Sequence, residues 1–149
     1  MIHQEILIKH RPRSRDAAPS LFIMTGQSNV SNSKSPLHMI TRSASLGYHT
    51  MMDAAALAPT CIFSLSEFPV DAMAISFYKM FGYPTGVGAL IVKKSFLKQL
   101  RRPWFAGGTV DFVQAPGTLV TPALNLHEQF EVKKSIVKLS TPSIWRLWC

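Results

Sequence analysis

The chain has 149 residues, of which 47% are hydrophobic and 16% charged, and its formal net charge is +8. This length fits one domain of ordinary size, and the apolar content excludes a disordered chain. No apolar run reaches the roughly 18 residues that cross a bilayer.

So large a positive charge raises nucleic acid as a partner, but its distribution argues against it. Lys9, Arg11, Arg13 and Arg15 lie near the N-terminus, and Lys133, Lys134, Lys138 and Arg146 near the other end. Lys93, Lys94, Lys98, Arg101 and Arg102 form a third group, while residues 20–92 are close to neutral. No zinc-finger spacing and no aromatic-basic RNA signature appears, so the 93–102 group is expected to be a solvated face. Two cysteines, Cys61 and Cys149, make neither a disulfide framework nor a cysteine-rich metal site. They point to a reducing, cytoplasmic setting, with Cys61 as a small core residue.

In chain order, residues 1–16 read as a loose basic arm with Pro12 as a breaker. An apolar patch followed by basic residues is the reverse of a secretory signal, and Glu5 and Asp16 argue against a transit peptide. Leu21–Met24 is an apolar run and a buried-strand candidate, followed by the small polar loop "TGQSNVSNSKSP". A helix follows, capped by Ser35 with Pro36 in its first turn, with Leu37, Ile40 and Ala44 on one face and Gly47 as its stop. Tyr48–Asp53 is the second strand, and a turn-rich stretch runs between Pro59 and Pro69. "AMAISFY" (Ala72–Tyr78) and "VGALIVK" (Val87–Lys93) are further strands, and "SFLKQLRR" is a helix with Phe96, Leu97 and Leu100 inward. Trp104 and Phe105 are expected mainly in core packing, with a pocket wall as the other reading.

Short apolar strands alternating with helices predict an α/β fold with a mostly parallel sheet. In such sheets ligands sit outside the carboxyl ends of the strands. Those ends deliver Gln27, Ser28, Asn29 and Ser31, then Asp53, then Tyr78 and Lys79. Two readings stay open on pattern alone. Asp53 and Lys79 can be a buried ion pair or simple strand-end caps. Alternatively, a lysine at an apolar edge loses its proton more easily and can condense with an aldehyde. Pyridoxal phosphate needs such a lysine, an acid for its ring nitrogen and donors for its phosphate. Lys79 and Asp53 supply the first two, and Ser76, earlier on the same strand face, is a candidate phosphate contact. Gly82, Gly86 and Gly88 then serve tight turns and close backbone approach. His38 and His49 lack partners at metal-ligand spacing, and "HEQFE" from His127 lacks the second histidine of a zinc protease motif.

The stretches "DAAALAPT", "SFYKMFGYPTGVGALIVKKSFL" and "RRPWFAGGTV" resemble the aminotransferase class V domain of eukaryotic molybdenum cofactor sulfurases, particularly fungal ones. "QSNVSNSKSPL" resembles the same family's loop after an earlier strand, and the likeness covers residues 17–131. It implies part of the large domain of the type I pyridoxal-phosphate fold, with helices flanking the sheet. The implied chemistry is removal of sulfur from L-cysteine through an enzyme persulfide and its transfer to the molybdenum cofactor. The resemblance makes Lys79 the catalytic, cofactor-anchoring lysine and Asp53 the partner of the pyridine nitrogen. Asn29 and Ser31 after the first strand, with Ser76, are the further candidate cofactor contacts by their place at the same edge. Gly107, Gly108 and Thr109 match a loop that in relatives reaches a phosphate site across a homodimer interface. Tyr78 stands where the wider family has histidine, and Ala56 where many desulfurases have glutamine.

The resemblance also marks departures. The family domain is several times longer, and neither its earlier phosphate loop nor its persulfide cysteine matches anything here; Cys61 does not align with the latter. After Glu131 the sequence turns basic and tryptophan-bearing, so residues 132–149 are expected to be a divergent tail. They read either as a gene-model artefact or as a strand carrying Ile136, Val137 and Leu139. The expectation is an incomplete, marginally stable chain. A second reading is a non-enzymatic basic α/β module that binds an anion or a protein partner through residues 93–102.

Overall fold

The computed structural model describes residues 2–13, 19–82, 86–102, 104–117, 119–130 and 147–148. A five-stranded sheet has the order β1-β2-β3-β4-β7, formed by Leu21–Thr25, His49–Asp53, Ala72–Ser76, Gly88–Val92 and Leu147–Trp148. β1, β2 and β3 run parallel, while β4 and β7 are antiparallel to their neighbours. The helices are α1 (Ile2–Lys9), α2 (His38–Ser45), α3 (Tyr78–Phe81) and α4 (Lys94–Leu97). A separate antiparallel hairpin pairs β5 (Val110–Val113) with β6 (Val120–Pro122).

Register explains the core. Met24, Met52, Met73 and Ile91 stand in one row across β1 to β4. Ile40 of α2 and Leu57, Val70 and Phe68 from the turn-rich 54–70 stretch pack against that row, and Met52 is fully buried. Burying side chains of this size contributes about 1.5–3 kcal/mol each. Cys61 is partly buried against the same cluster, as its small apolar character suggested. On the opposite face Ile23 of edge strand β1 stays 59% exposed.

Several elements depart from the sequence reading. Ile2–Lys9 form a helix rather than a loose arm, with Leu7 buried and its carbonyl accepting from the Tyr48 hydroxyl at 3.0 Å. α2 starts later than expected: Leu37 is its N-cap, without a side-chain cap, so Ser35 does not cap it. Its buried face is Met39, Ile40 and Ser43, while Ala44 is exposed. Ser43 is tolerated inside because its hydroxyl donates to the Met39 carbonyl at 2.7 Å. Gly47 stops the chain at φ +91°, as its position predicted. β3 ends at Ser76, and α4 ends at Leu97, leaving Leu100 exposed. The tail residues Ile136, Val137 and Leu139 lie outside the described residues, as do Tyr83, Pro84 and Thr85.

At the amino ends of the parallel strands Asp71 ties three strands together. Its Oδ2 accepts from the Thr50 amide at 2.9 Å, and its Oδ1 accepts from Lys93 Nζ at 2.9 Å. His49 Nδ1 lies 3.4 Å from Oδ2, and its ring packs against Phe96. Burial alone would raise the Asp71 carboxyl. The bonds from Lys93 and Thr50 and the charges of Lys93 and His49 outweigh it and hold the group below the usual carboxylate range. Lys93 therefore takes part in a structural clip while staying exposed, and Lys94, Lys98 and Arg101 are exposed as a solvated face requires.

Candidate functional site

β1, β2 and β3 point their carboxyl ends to one edge, and antiparallel β4 brings its amino end there too. The loop 26–35, Asp53, the 77–82 segment and Gly86–Gly88 therefore share that edge.

The loop after β1 is built from its own short polar side chains. The Ser28 hydroxyl accepts from the amides of Val30 and Ser31, both at 3.2 Å. Ser28 N donates to Ser33 O at 2.9 Å, and Asn32 takes the left-handed conformation at φ +57°. Gln27 is buried beneath it, donating from Nε2 to Asn32 Oδ1 and accepting at Oε1 from Thr60. Gly26 donates to the Asp53 carbonyl at 2.8 Å, and a Cβ there would stand 2.7 Å from Leu57 Cδ2. Glycine gives this approach room, since a methyl there would press on the buried Leu57 side chain.

Asp53 closes β2 between Thr25 and Ala74 in register. It is half-buried, and its Oδ1 accepts from the Ala55 amide at 2.9 Å. Past Ser76 the chain turns helical at Phe77, so Tyr78 and Lys79 lie on α3, not at a strand end. Phe77 N still donates to Val87 O, which keeps the start of α3 on the sheet edge. Gly82 and Gly86 adopt φ +79° and +86°, and a Cβ on Gly88 would lie 2.6 Å from Ile75 O. The glycine pattern thus has the turn and close-approach roles the sequence assigned to it.

The half-buried Lys79 amine donates to Asn29 Oδ1 and lies 5.8 Å from the Tyr78 ring centroid, within cation–π range. No ion pair joins Lys79 to Asp53 among the described residues, so the buried-pair reading does not hold. Asn29 and Lys79 are 50 residues apart in sequence and meet at the edge. Ser76 stands opposite Gly88 on the same edge. Ser31 is exposed, its hydroxyl paired with that of Ser33 at 2.8 Å.

The remaining three predicted residues lie elsewhere. Gly107, Gly108 and Thr109 form the turn before β5, with Gly108 at φ +88°. Thr109 is buried, and its hydroxyl donates to Ala106 O at 2.7 Å while accepting from Ala106 N at 3.0 Å. No hydrogen bond links this turn to the Lys79 edge among the described residues. Trp104 and Phe105, expected mainly in the core, are exposed and line a cavity, which favours the pocket-wall reading. Sequence reasoning gave Gln27 a place at a strand end but missed Gln27 and Thr60 as the props of the Asn29 loop. The signal was a long amide amid serines, too generic to single out.

Residues 3–129 match the aminotransferase class-V family. The chain belongs to that family. It is 37% identical over 112 residues to the molybdenum cofactor sulfurase of Caenorhabditis elegans, covering 75% of this chain and 16% of that protein. It is 35% identical over 122 residues to the Homo sapiens molybdenum cofactor sulfurase, covering 76% of this chain and 14% of the relative. Among solved structures it superposes on the cysteine desulfurase of Thermococcus onnurineus NA1 with a TM-score of 0.62 at 24% identity, over 76% of this chain and 28% of that one. The Escherichia coli cysteine desulfurase CsdA gives 0.63 at 24% identity, over 78% and 28%. These likenesses establish the type I aminotransferase fold expected from the sequence. The chain spans less than a fifth of the length of these sulfurases. No helix among the described residues is long and apolar enough to cross a membrane.

Proposed function

We propose that this chain is the lysine-bearing part of a pyridoxal-phosphate-dependent sulfurtransferase. In this reading L-cysteine is the sulfur donor and the molybdenum cofactor the acceptor. The observation that carries it is the Lys79–Asn29 contact at the carboxyl edge of a class-V sheet. The substrate class rests on the names of the similar sulfurases.

The residues fit the group. Lys79 donates to a neutral amide oxygen, and no carboxylate pairs with it among the described residues. Asp53 keeps Oδ1 on the Ala55 amide, which fixes the carboxylate and leaves Oδ2 for a protonated ring nitrogen. The cofactor, when bound, supplies an electron sink for bond breaking at the substrate's α-carbon. Lys79 would hold it through Nζ, and the same amine would move a proton to and from that carbon. Asn29 orients the Lys79 amine, and Asp53 stabilises the proton on the ring nitrogen. Ser76 and Ser31 are candidate polar contacts for the cofactor from β3 and the β1 loop. Gly107, Gly108 and Thr109 act in the phosphate site of a second copy, which makes the working unit a homodimer.

The test is borohydride reduction of the chain after incubation with pyridoxal phosphate, followed by peptide mapping. A single label on Lys79, lost in Lys79→Ala, is the expected result. Labels scattered over Lys93, Lys94 and Lys98 would remove the cofactor reading and leave the basic-module alternative.

A further inference from the structure

A cavity of about 410 Å³ lies between the segment following α4 and the β5–β6 hairpin. It shares no lining residue with Lys79, Asp53 or Asn29. Arg101 and Arg102 stand on its wall with Trp104, Phe105 and Phe130, and among the described residues no aspartate or glutamate lines it. Its volume suits a small organic ligand, for which such pockets run about 300–1,000 Å³.

The electrostatics are unfinished. Arg102 Nη1 is buried and has no hydrogen-bond partner among the described residues. Buried guanidinium N–H groups are ordinarily paired, and an orphan asks for an acceptor from outside. Two other donors on the wall are already engaged. The Thr109 hydroxyl is tied to Ala106, and Gln129 Nε2 donates to Ala123 O at 2.9 Å. A carboxylate, with two coplanar oxygens, matches one guanidinium fork. The aromatic wall suits a flat apolar body attached to it.

We propose that this cavity binds a carboxylate carried on a flat apolar group, with Arg102 turning its fork onto the carboxylate. The site is distinct from the Lys79 edge, and its Thr109 belongs to the turn proposed for a second copy's phosphate site. The probes are 2-naphthoate, its neutral isostere 2-naphthamide, and 2-naphthyl phosphate, titrated calorimetrically into the full chain. Naphthoate is expected to bind at least tenfold more tightly than the amide and more tightly than the phosphate. Arg102→Gln is expected to abolish that preference while amide binding changes less than twofold. Lys79→Ala is expected to leave naphthoate binding unchanged. Equal affinity for acid and amide in the unaltered chain overturns the proposal, and this comparison stands even if Arg102→Gln does not fold. Tighter binding of the phosphate overturns the carboxylate assignment, and loss of naphthoate binding in Lys79→Ala overturns the location.

Discussion

Asp53 and Asp71 are two half-buried carboxylates at opposite ends of the same sheet, with opposite assignments. Asp53 is fixed by one backbone amide and has no cation beside it among the described residues, which suits a partner that arrives with a ligand. Asp53→Asn keeps an acceptor for Ala55 N and removes the charge. Hydrogen bonds to charged groups contribute roughly 1.5–3 kcal/mol, so pyridoxal-phosphate affinity is expected to fall about tenfold or more, with little change in thermal midpoint. An absorbance titration of both chains checks it. Asp71 instead stabilises the fold. Its native pKa is lowered, so its contribution is present above the ordinary value of 3.8 and is lost as pH falls through the lower native value. Urea midpoints should therefore separate wild type from Asp71→Asn at neutral pH and converge in strong acid. A constant gap across that range would contradict the assignment.

At the scale of elements, the glycines of the 82–88 loop have different physical reasons. Gly86 has open space where a methyl would stand but a left-handed backbone, so Gly86→Ala is expected to cost about 1–2 kcal/mol through strain alone. Gly88 sits in β4, where a methyl collides with the Ile75 carbonyl across the ladder. Gly88→Ala must shift one strand against the other, at about 1–3 kcal/mol. Because β3 leads directly into α3, Gly88→Ala should also reduce labelling of Lys79 by pyridoxal phosphate more than Gly86→Ala does. Denaturant midpoints and labelling yields on the two variants test both statements.

Across the whole molecule, one sheet face is well covered and the other is not. α2 and the 54–70 stretch bury the Met24–Met52–Met73–Ile91 row. Ile23 on the opposite face of edge strand β1 is open, as are Trp104 at 68% and Leu124 at 93% beyond the main sheet. An apolar edge strand with unpaired backbone groups is a template for association. The chain is expected to scatter light increasingly with concentration, and Ile23→Lys is expected to suppress much of that without lowering the thermal midpoint. Scattering unaffected by Ile23→Lys would place the sticky surface elsewhere, at the Trp104 and Leu124 patches.

The sequence by itself determined the parallel apolar strands, the polar groups at their carboxyl ends and the glycine loop. These follow from local rules: strand-length apolar runs, a helix stopped by Gly47, and backbone conformations that only glycine adopts cheaply. It placed Lys79 and Asp53 at one edge because parallel strands share a direction. The tertiary structure decided the contacts that depend on long-range docking. Among them are Lys79 with Asn29 rather than Asp53, the bond of exposed Lys93 to Asp71, and α1 where a loose arm was expected. Such pairings depend on which side chains three-dimensional packing brings within about 3 Å, a hydrogen-bond distance that sequence spacing does not encode.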